Sequence, residues 1–269
     1  MARVKLTILG CGASPGVPRI DGNWGACDPA EPRNYRTRCS ALIERFDSGK
    51  RPTRVLVDTG PDLRAQMLAA PVDAIDGVVY THAHADHIHG IDDLRAYALI
   101  ERRLIDIYAD DVTQTYLETA FSYCFRSPAG SFYPPILKRT RIEAGAAFTV
   151  TGPGGPVTLQ PFRQIHGEIE TLGLRVGNMA YSCDVNDFPG ESVAALGGLS
   201  VWVLCALRHT PHPSHLSVGE ALEWIRRIKP RRAYLTHLYA DLDYRKTAAA
   251  LPAGVEPAYD GLVLEEAVD

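Results

Sequence analysis

The chain has 269 residues, 46% hydrophobic and 22% charged, with a formal net charge of -4. That balance suits a globular protein with a sizeable core and excludes a largely disordered one. It argues against a protein built to coat nucleic acid, which needs surplus cations, and no run of about 18 apolar residues marks a membrane span.

In chain order, Val4, Leu6 and Ile8 alternate with Lys5 and Thr7, the period of a half-buried strand. The segment ends in Ile8-Leu9-Gly10-Cys11, loosely a lipoprotein box, but the apolar run of a signal peptide does not precede it. Further strands are expected over residues 54–58, 77–80, 105–108, 157–162, 172–176, 179–182, 201–206 and 233–235. Helices are expected over 62–70, after Gly60-Pro61, and over 111–123. A third begins at Ser217, where Ser217-x-x-Glu220 reads as a capping box, and stops at Pro230. Strands alternating with helices indicate an α/β protein, read here as one domain over residues 1–269. Residues 126–141, with Pro128, Gly130, Pro134 and Pro135 beside Phe132 and Tyr133, read as one long loop. A loop of that length covers a site or is a structural excursion. Cys11, Cys27, Cys39, Cys124, Cys183 and Cys205 are scattered without a CxxC pair, which points to reduced thiols and a cytoplasmic location.

The chemistry concentrates in Val78-Val79-Tyr80-Thr81-His82-Ala83-His84-Ala85-Asp86-His87, an apolar strand running into three histidines and an aspartate. On extended backbone His82 and His84 point the same way, so both imidazoles can reach one cation. A turn at Ala85 then aims Asp86 and His87 at a second, and imidazole with carboxylate suits borderline divalent metals. His166, Asp184 and His237 each follow another apolar strand. Singly, each reads as a hydrogen-bonded histidine or a turn-capping aspartate. Together with the His82 cluster they supply the missing half of a binuclear site.

The pattern His82-x-His84-x-Asp86-His87, followed in order by His166, Asp184 and His237, resembles the metallo-β-lactamase superfamily over nearly the whole chain. The resemblance implies a four-layer αβ/βα sandwich with two divalent ions, zinc or manganese, at one edge between two sheets. It places His82, His84 and His166 on one ion, Asp86, His87 and His237 on the other, and Asp184 between them. Aspartate rather than cysteine at position 184 is the pattern of hydrolases with two hard-ligand sites. The opening Gly10-x-Gly12-x-Ser14-x-Gly16-Val17-Pro18 is similar to that of tRNA 3′-processing nucleases and phosphoribosyl cyclic phosphodiesterases, although alone it reads as a tight turn. In those enzymes the region matching Pro211–Ser217 carries a catalytic histidine that is not a ligand. His215 fits that role best, His212 is the fallback, and His89 and His209 are assigned to structure or solvent.

Two departures narrow the reading. Some relatives carry a structural zinc on N-terminal cysteines and a histidine three places after the last ligand, but position 240 is Ala240 here, so Cys27 and Cys39 are not expected to hold one. The tRNA nucleases often insert a long arm between the fifth and sixth ligands, and the stretch from His166 to Asp184 is too short for one. The basic runs Lys138-Arg139-x-Arg141 and Arg226 to Arg232 read as solvated faces rather than a nucleic-acid surface. The resemblance thus implies a binuclear phosphodiesterase acting on a small, cyclic or nucleotide-like phosphate ester, with no membrane partner. A tRNA 3′-endonuclease, a thioester hydrolase and a non-catalytic metal or phosphate sensor stand as alternatives. Oligomeric state, homodimer included, is open.

Overall fold

The computed structural model describes residues 2–47, 50–70 and 72–267. The first half runs β1 (Arg3–Gly10), β2 (Ser40–Phe46), β3 (Thr53–Val57), α1 (Leu63–Ala69), β4 (Gly77–Val79), α2 (Ala85–Ile88), α3 (Arg95–Glu101), β5 (Ile105–Ala109), α4 (Asp111–Ala120), α5 (Ser122–Phe125) and β6 (Leu137–Arg141). The second runs β7 (Phe148–Val150), β8 (Val157–His166), β9 (Ile169–Val176), β10 (Met179–Ser182), α6 (Gly190–Ala195), β11 (Val201–Cys205), α7 (Val218–Ile228), β12 (Arg232–Thr236), α8 (Tyr244–Ala250), β13 (Val255–Pro257) and β14 (Val263–Ala267).

These strands form two seven-stranded sheets, ordered β14-β1-β2-β3-β4-β5-β6 and β13-β12-β11-β10-β9-β8-β7. Alternation along each strand decides which face is buried against what. Val4, Leu6 and Ile8 of β1 and Val55 and Val57 of β3 turn inward, meeting Leu172, Leu174, Val201 and Val203 of the other sheet. The opposite face of the first sheet packs Leu56, Val78 and Ile107 against Leu63, Met67, Ile88, Ala98 and Leu117 from its helices. On the second sheet, Trp202 and Leu204 point outward to Ala221 and the half-buried Leu222, Trp224 and Ile225 of α7. The result is the expected helix–sheet–sheet–helix stack.

Parallel pairing sets the direction of the strand ends. β3, β4 and β5 run parallel, as do β10, β11 and β12. Their carboxyl ends therefore open toward one edge of each sheet, the place where α/β proteins build sites.

Two expectations change. The long loop ends at 136, because 137–141 form β6, pairing in parallel with β5 from Ile105↔Leu137 to Ala109↔Arg141. Lys138, Arg139 and Arg141 sit there on an edge strand, where charge blocks further pairing, and they pair with Asp106, Glu118 and Asp111. The helix expected over 111–123 breaks at Phe121, whose φ of -126° and ψ of 39° are not helical. β2, a strand not among those expected, buries Glu44, and Arg54 and Lys5 neutralise it on the outer face.

Candidate metal centre

Four strand ends deliver the site. His82 and His84 follow β4, and Asp86 and His87 lie on the short α2 that begins at Ala85. His166 closes β8, Asp184 stands two residues past β10, and His237 directly follows β12 in a left-handed backbone conformation (φ 59°). Gly60 lets α2 approach closely, since a Cβ there would stand 2.3 Å from the Asp86 carbonyl oxygen. Gly12 does the same for the opening loop, bridging to Arg38 on one side and Leu238 on the other. The glycine string is therefore a seam between the sheets as well as a turn.

One carboxylate organises the cluster. Asp184 Oδ2 lies 3.6 Å from both His82 Nε2 and His166 Nε2. Its other oxygen, Oδ1, lies 3.3 Å from His87 Nε2 and 3.0 Å from His237 Nδ1. Donor atoms of His82, His84, His166 and Asp184 fall within 4.8 Å of one another and could hold an ion. A second such group comprises His87, Cys183, Asp184 and His237. Asp86 lies outside both groups, its Oδ2 3.6 Å from His87 Nε2. His84 is exposed and marks the open side.

The fit to cations rests on the histidine nitrogens. His82 Nε2 and His87 Nε2 are buried with no hydrogen-bond partner among the described residues. Buried polar atoms left unpaired are costly, and a bound cation removes that cost. The other ring nitrogens are already committed. His166 Nδ1 donates to the Ser214 carbonyl at 2.6 Å, and His87 Nδ1 donates to Asp58 Oδ2 at 2.7 Å. Each such bond fixes the tautomer that leaves Nε2 free as a ligand.

Electrostatics follow the same division. Burial and then the neighbouring His87 push His82 well below the usual histidine range. Burial also opposes charge on His87, but Asp184 and Asp58 raise it well above that range. Burial works against ionised Asp184 too, yet His237 and His87 hold its carboxyl well below the ordinary value.

Asp58 has no counterpart in the sequence reading. It is fully buried at φ 60° just past β3, and it also accepts from the Thr81 amide at 2.8 Å and the Thr81 hydroxyl at 2.7 Å. The only local sign was an aspartate closing Val55-Leu56-Val57 before Thr59-Gly60.

His215 reaches the site from the β11–α7 connection. Its ring centroid is 4.5 Å from those of His166 and His237, and it stacks on the latter. Burial, then the charge of His237, pushes it down to about 2. His212 lies 5.1 Å from His215 by ring centroid and, like it, is half-buried. His89 and His209 are exposed, His89 resting edge-on against Phe121. Cys27 sits apart in a small apolar cluster with Val17 and Ala240, its Sγ 3.9 Å from the Arg36 guanidinium. A fixed cation there disfavours metal. Cys39 instead lies at the centre, 3.5 Å from His237 Nδ1.

A family model described as "Beta-lactamase superfamily domain" matches residues 53–238. The crystal structure of a diphosphatase from the PhnP family superposes with a TM-score of 0.87 at 35% identity, covering 99% of this chain and 98% of that one. An octanoyltransferase of Porphyromonas gingivalis is 33% identical over 96% of this chain, which spans about half (51%) of that relative's length. The anti-Pycsar protein Apyc1 of Bacillus phage 010DV004 is 40% identical over 75% of this chain and 82% of its own.

Proposed function

Because the chain belongs to the β-lactamase superfamily of metal-dependent hydrolases, we propose that it is a binuclear phosphodiesterase acting on a small, cyclic or nucleotide-like phosphate ester. The observation that carries this reading is the single carboxylate of Asp184, flanked by two histidine nitrogens at each oxygen. In this reading His82, His84 and His166 would hold one ion, Asp86, His87 and His237 would hold the other, and Asp184 would stand between them. When bound, two divalent cations such as zinc or manganese neutralise a phosphodiester's charge and activate water near neutral pH.

The remaining work falls to side chains. Asp184 and Asp86 supply fixed negative charge that keeps cations at the open edge. His215 is the proton-bearing group aimed at the leaving oxygen. Its Nδ1 lies 3.7 Å from Cys205 Sγ. Burial, then the nearby Asp184, keeps that thiol well above its ordinary pKa, so the S–H donates to Nδ1. The proton of the neutral imidazole then resides on Nε2, facing substrate. As the ester bond breaks, this N–H stabilises charge developing on the departing oxygen.

Substrate size is favoured by a cavity of about 510 Å³ lined by Ser14, Pro15, Pro18, Arg19, Ile20, Asp21 and Arg38, within the range of small-molecule sites. Two of its arginines connect to segments of the centre: Arg19 donates to the hydroxyl of Tyr239, two residues past His237, at 3.3 Å, and Arg38 precedes Cys39. The guanidinium forks suit phosphate oxygens. The diphosphatase relative at 35% identity supports phosphate-ester chemistry over thioester hydrolysis.

The test is a panel of bis(p-nitrophenyl) phosphate, a thioester and a 3′-extended tRNA, assayed with metal analysis. The diester should be hydrolysed, and His82→Ala or Asp184→Ala should abolish turnover and lower metal content while far-ultraviolet dichroism stays unchanged. Undiminished activity in a metal-free preparation would sink the reading.

A further inference from the structure

The family resemblance implies two hard-ligand seats at this centre, but the structure brings sulfur beside the second. Cys183 Sγ lies 3.2 Å from Asp184 Oδ1 and 3.7 Å from His237 Nδ1. With His87 Nε2 at 3.3 Å and His237 Nδ1 at 3.0 Å from the same oxygen, four donor atoms from three strand ends converge. A tetrahedral ion with metal–sulfur bonds of about 2.3 Å and metal–nitrogen bonds of about 2.0–2.1 Å sets its ligands about 3.3–3.8 Å apart. The spacings here match those edges or fall a few tenths of an ångström short. Hydrogen bonding alone does not account for the cluster. His237 Nδ1 carries at most one proton, yet Asp184 Oδ1, Cys183 Sγ and Cys39 Sγ all face it. His87 Nε2, buried and without a partner among the described residues, points into the same space.

We propose that Cys183 is a ligand of the second ion, completing a His87, Asp184, His237 and Cys183 set, with Asp86 at its rim. The inference rests on the reading that this centre holds metal, and it deepens that reading by giving the second seat a soft donor. Cys39 Sγ lies beside the same ring nitrogen, 3.5 Å from His237 Nδ1. A ligating thiol gives up its proton to solvent as the metal–sulfur bond forms. One proton leaves, one metal–sulfur bond forms, and no oxidant is required. Thiolate selects borderline and soft cations, so the second seat should take zinc or cadmium in preference to manganese.

The experiment is X-ray absorption at the zinc edge of the zinc-loaded wild-type protein, with cobalt(II) replacement as a second readout. The expected result is a sulfur scatterer at about 2.3 Å and a near-ultraviolet thiolate-to-cobalt absorption. The band should vanish in Cys183→Ser and persist in Cys205→Ser, whose thiol faces His215. Zinc affinity in Cys183→Ser should fall at least tenfold, with manganese binding unchanged. Bound zinc surrounded only by nitrogen and oxygen overturns the proposal without touching the phosphodiesterase reading. A wild-type chain that binds no divalent ion ends both. Since the absorption measurement needs no variant, a misfolded Cys183→Ser leaves the outcome decidable.

Discussion

At the scale of single residues, the separation of duties among the histidines follows from what the second nitrogen of each ring does. His87 and His166 have one nitrogen tied down by Asp58 and by the Ser214 carbonyl. Their free nitrogens are thereby fixed in direction and tautomer, as ligands require. His215 is different, because a thiol rather than a carboxylate faces its Nδ1 and nothing nearby favours its charged form strongly enough to offset burial. In the proposed reaction it would act as a neutral donor. His215→Ala should therefore keep both metals and lose roughly 10²–10⁴-fold in turnover on esters with poor leaving groups. The loss should shrink for bis(p-nitrophenyl) phosphate, whose nitrophenolate carries its charge without help. Steady-state rates on a matched series of leaving groups check this. An equal loss across the series would assign His215 to phosphate positioning, and no loss would turn attention to His212.

At the scale of elements, α7 shows how a local signal fixes a functional loop. Ser217 Oγ accepts the Glu220 amide at 3.3 Å, and Glu220 Oε2 accepts the Ser217 amide at 2.8 Å, closing the capping box. The cap satisfies orphan amides of the first turn, and it anchors the chain two residues after His215. Ser217→Ala should cost about 1 kcal/mol, a fall in melting temperature of roughly 2–4 °C for a chain of this size. Differential scanning calorimetry reads it, and an unchanged melting temperature would mean that packing of Ala221 and Trp224 alone sets the helix start. The edge strand β6 makes the opposite case. Its cations Lys138, Arg139 and Arg141 look like a solvated run, and only pairing with β5 turns them into a strand.

At the scale of the whole molecule, Asp260 stands where the chain returns from β13 of the second sheet to β14 of the first. Its carboxylate accepts from the Cys11 amide at 2.9 Å and from the Thr37 amide and hydroxyl at 2.7 Å each. Burial outweighs these bonds and raises its pKa from 3.8 to about 6. The folded state therefore holds this proton more tightly than the unfolded chain. The contribution to stability is fully present below about 4 and is lost as pH rises through about 6. A shift of this size corresponds to about 3 kcal/mol at most. Urea unfolding of wild type and Asp260→Asn should thus give a stability difference that changes between pH 4 and pH 7, with wild type losing ground as pH rises. A difference independent of pH would show that Asp260 titrates alike in both states.

Much of this protein was legible in its sequence. Period-two alternation in residues such as Val4, Leu6 and Ile8, and the box at Ser217, are local signals, set by which face of an element meets water and which amides lack partners. The order His82, His84, His87, His166, Asp184, His237 likewise marked side chains whose donor atoms the fold brings near one another, with Asp86 beside His87 but outside both groups, because each stands where an apolar strand stops. What the sequence did not contain were the relations between segments far apart in it. Asp58 becomes a partner of His87 only when β3 and β4 run parallel and end side by side. Cys183 and Cys39 look like ordinary scattered thiols until β10 and β2 face each other across the core beneath His237. A hydrogen bond or a ligand shell depends on a few ångströms of separation, and for residues on opposite sheets that distance is decided by packing of the two apolar faces alone.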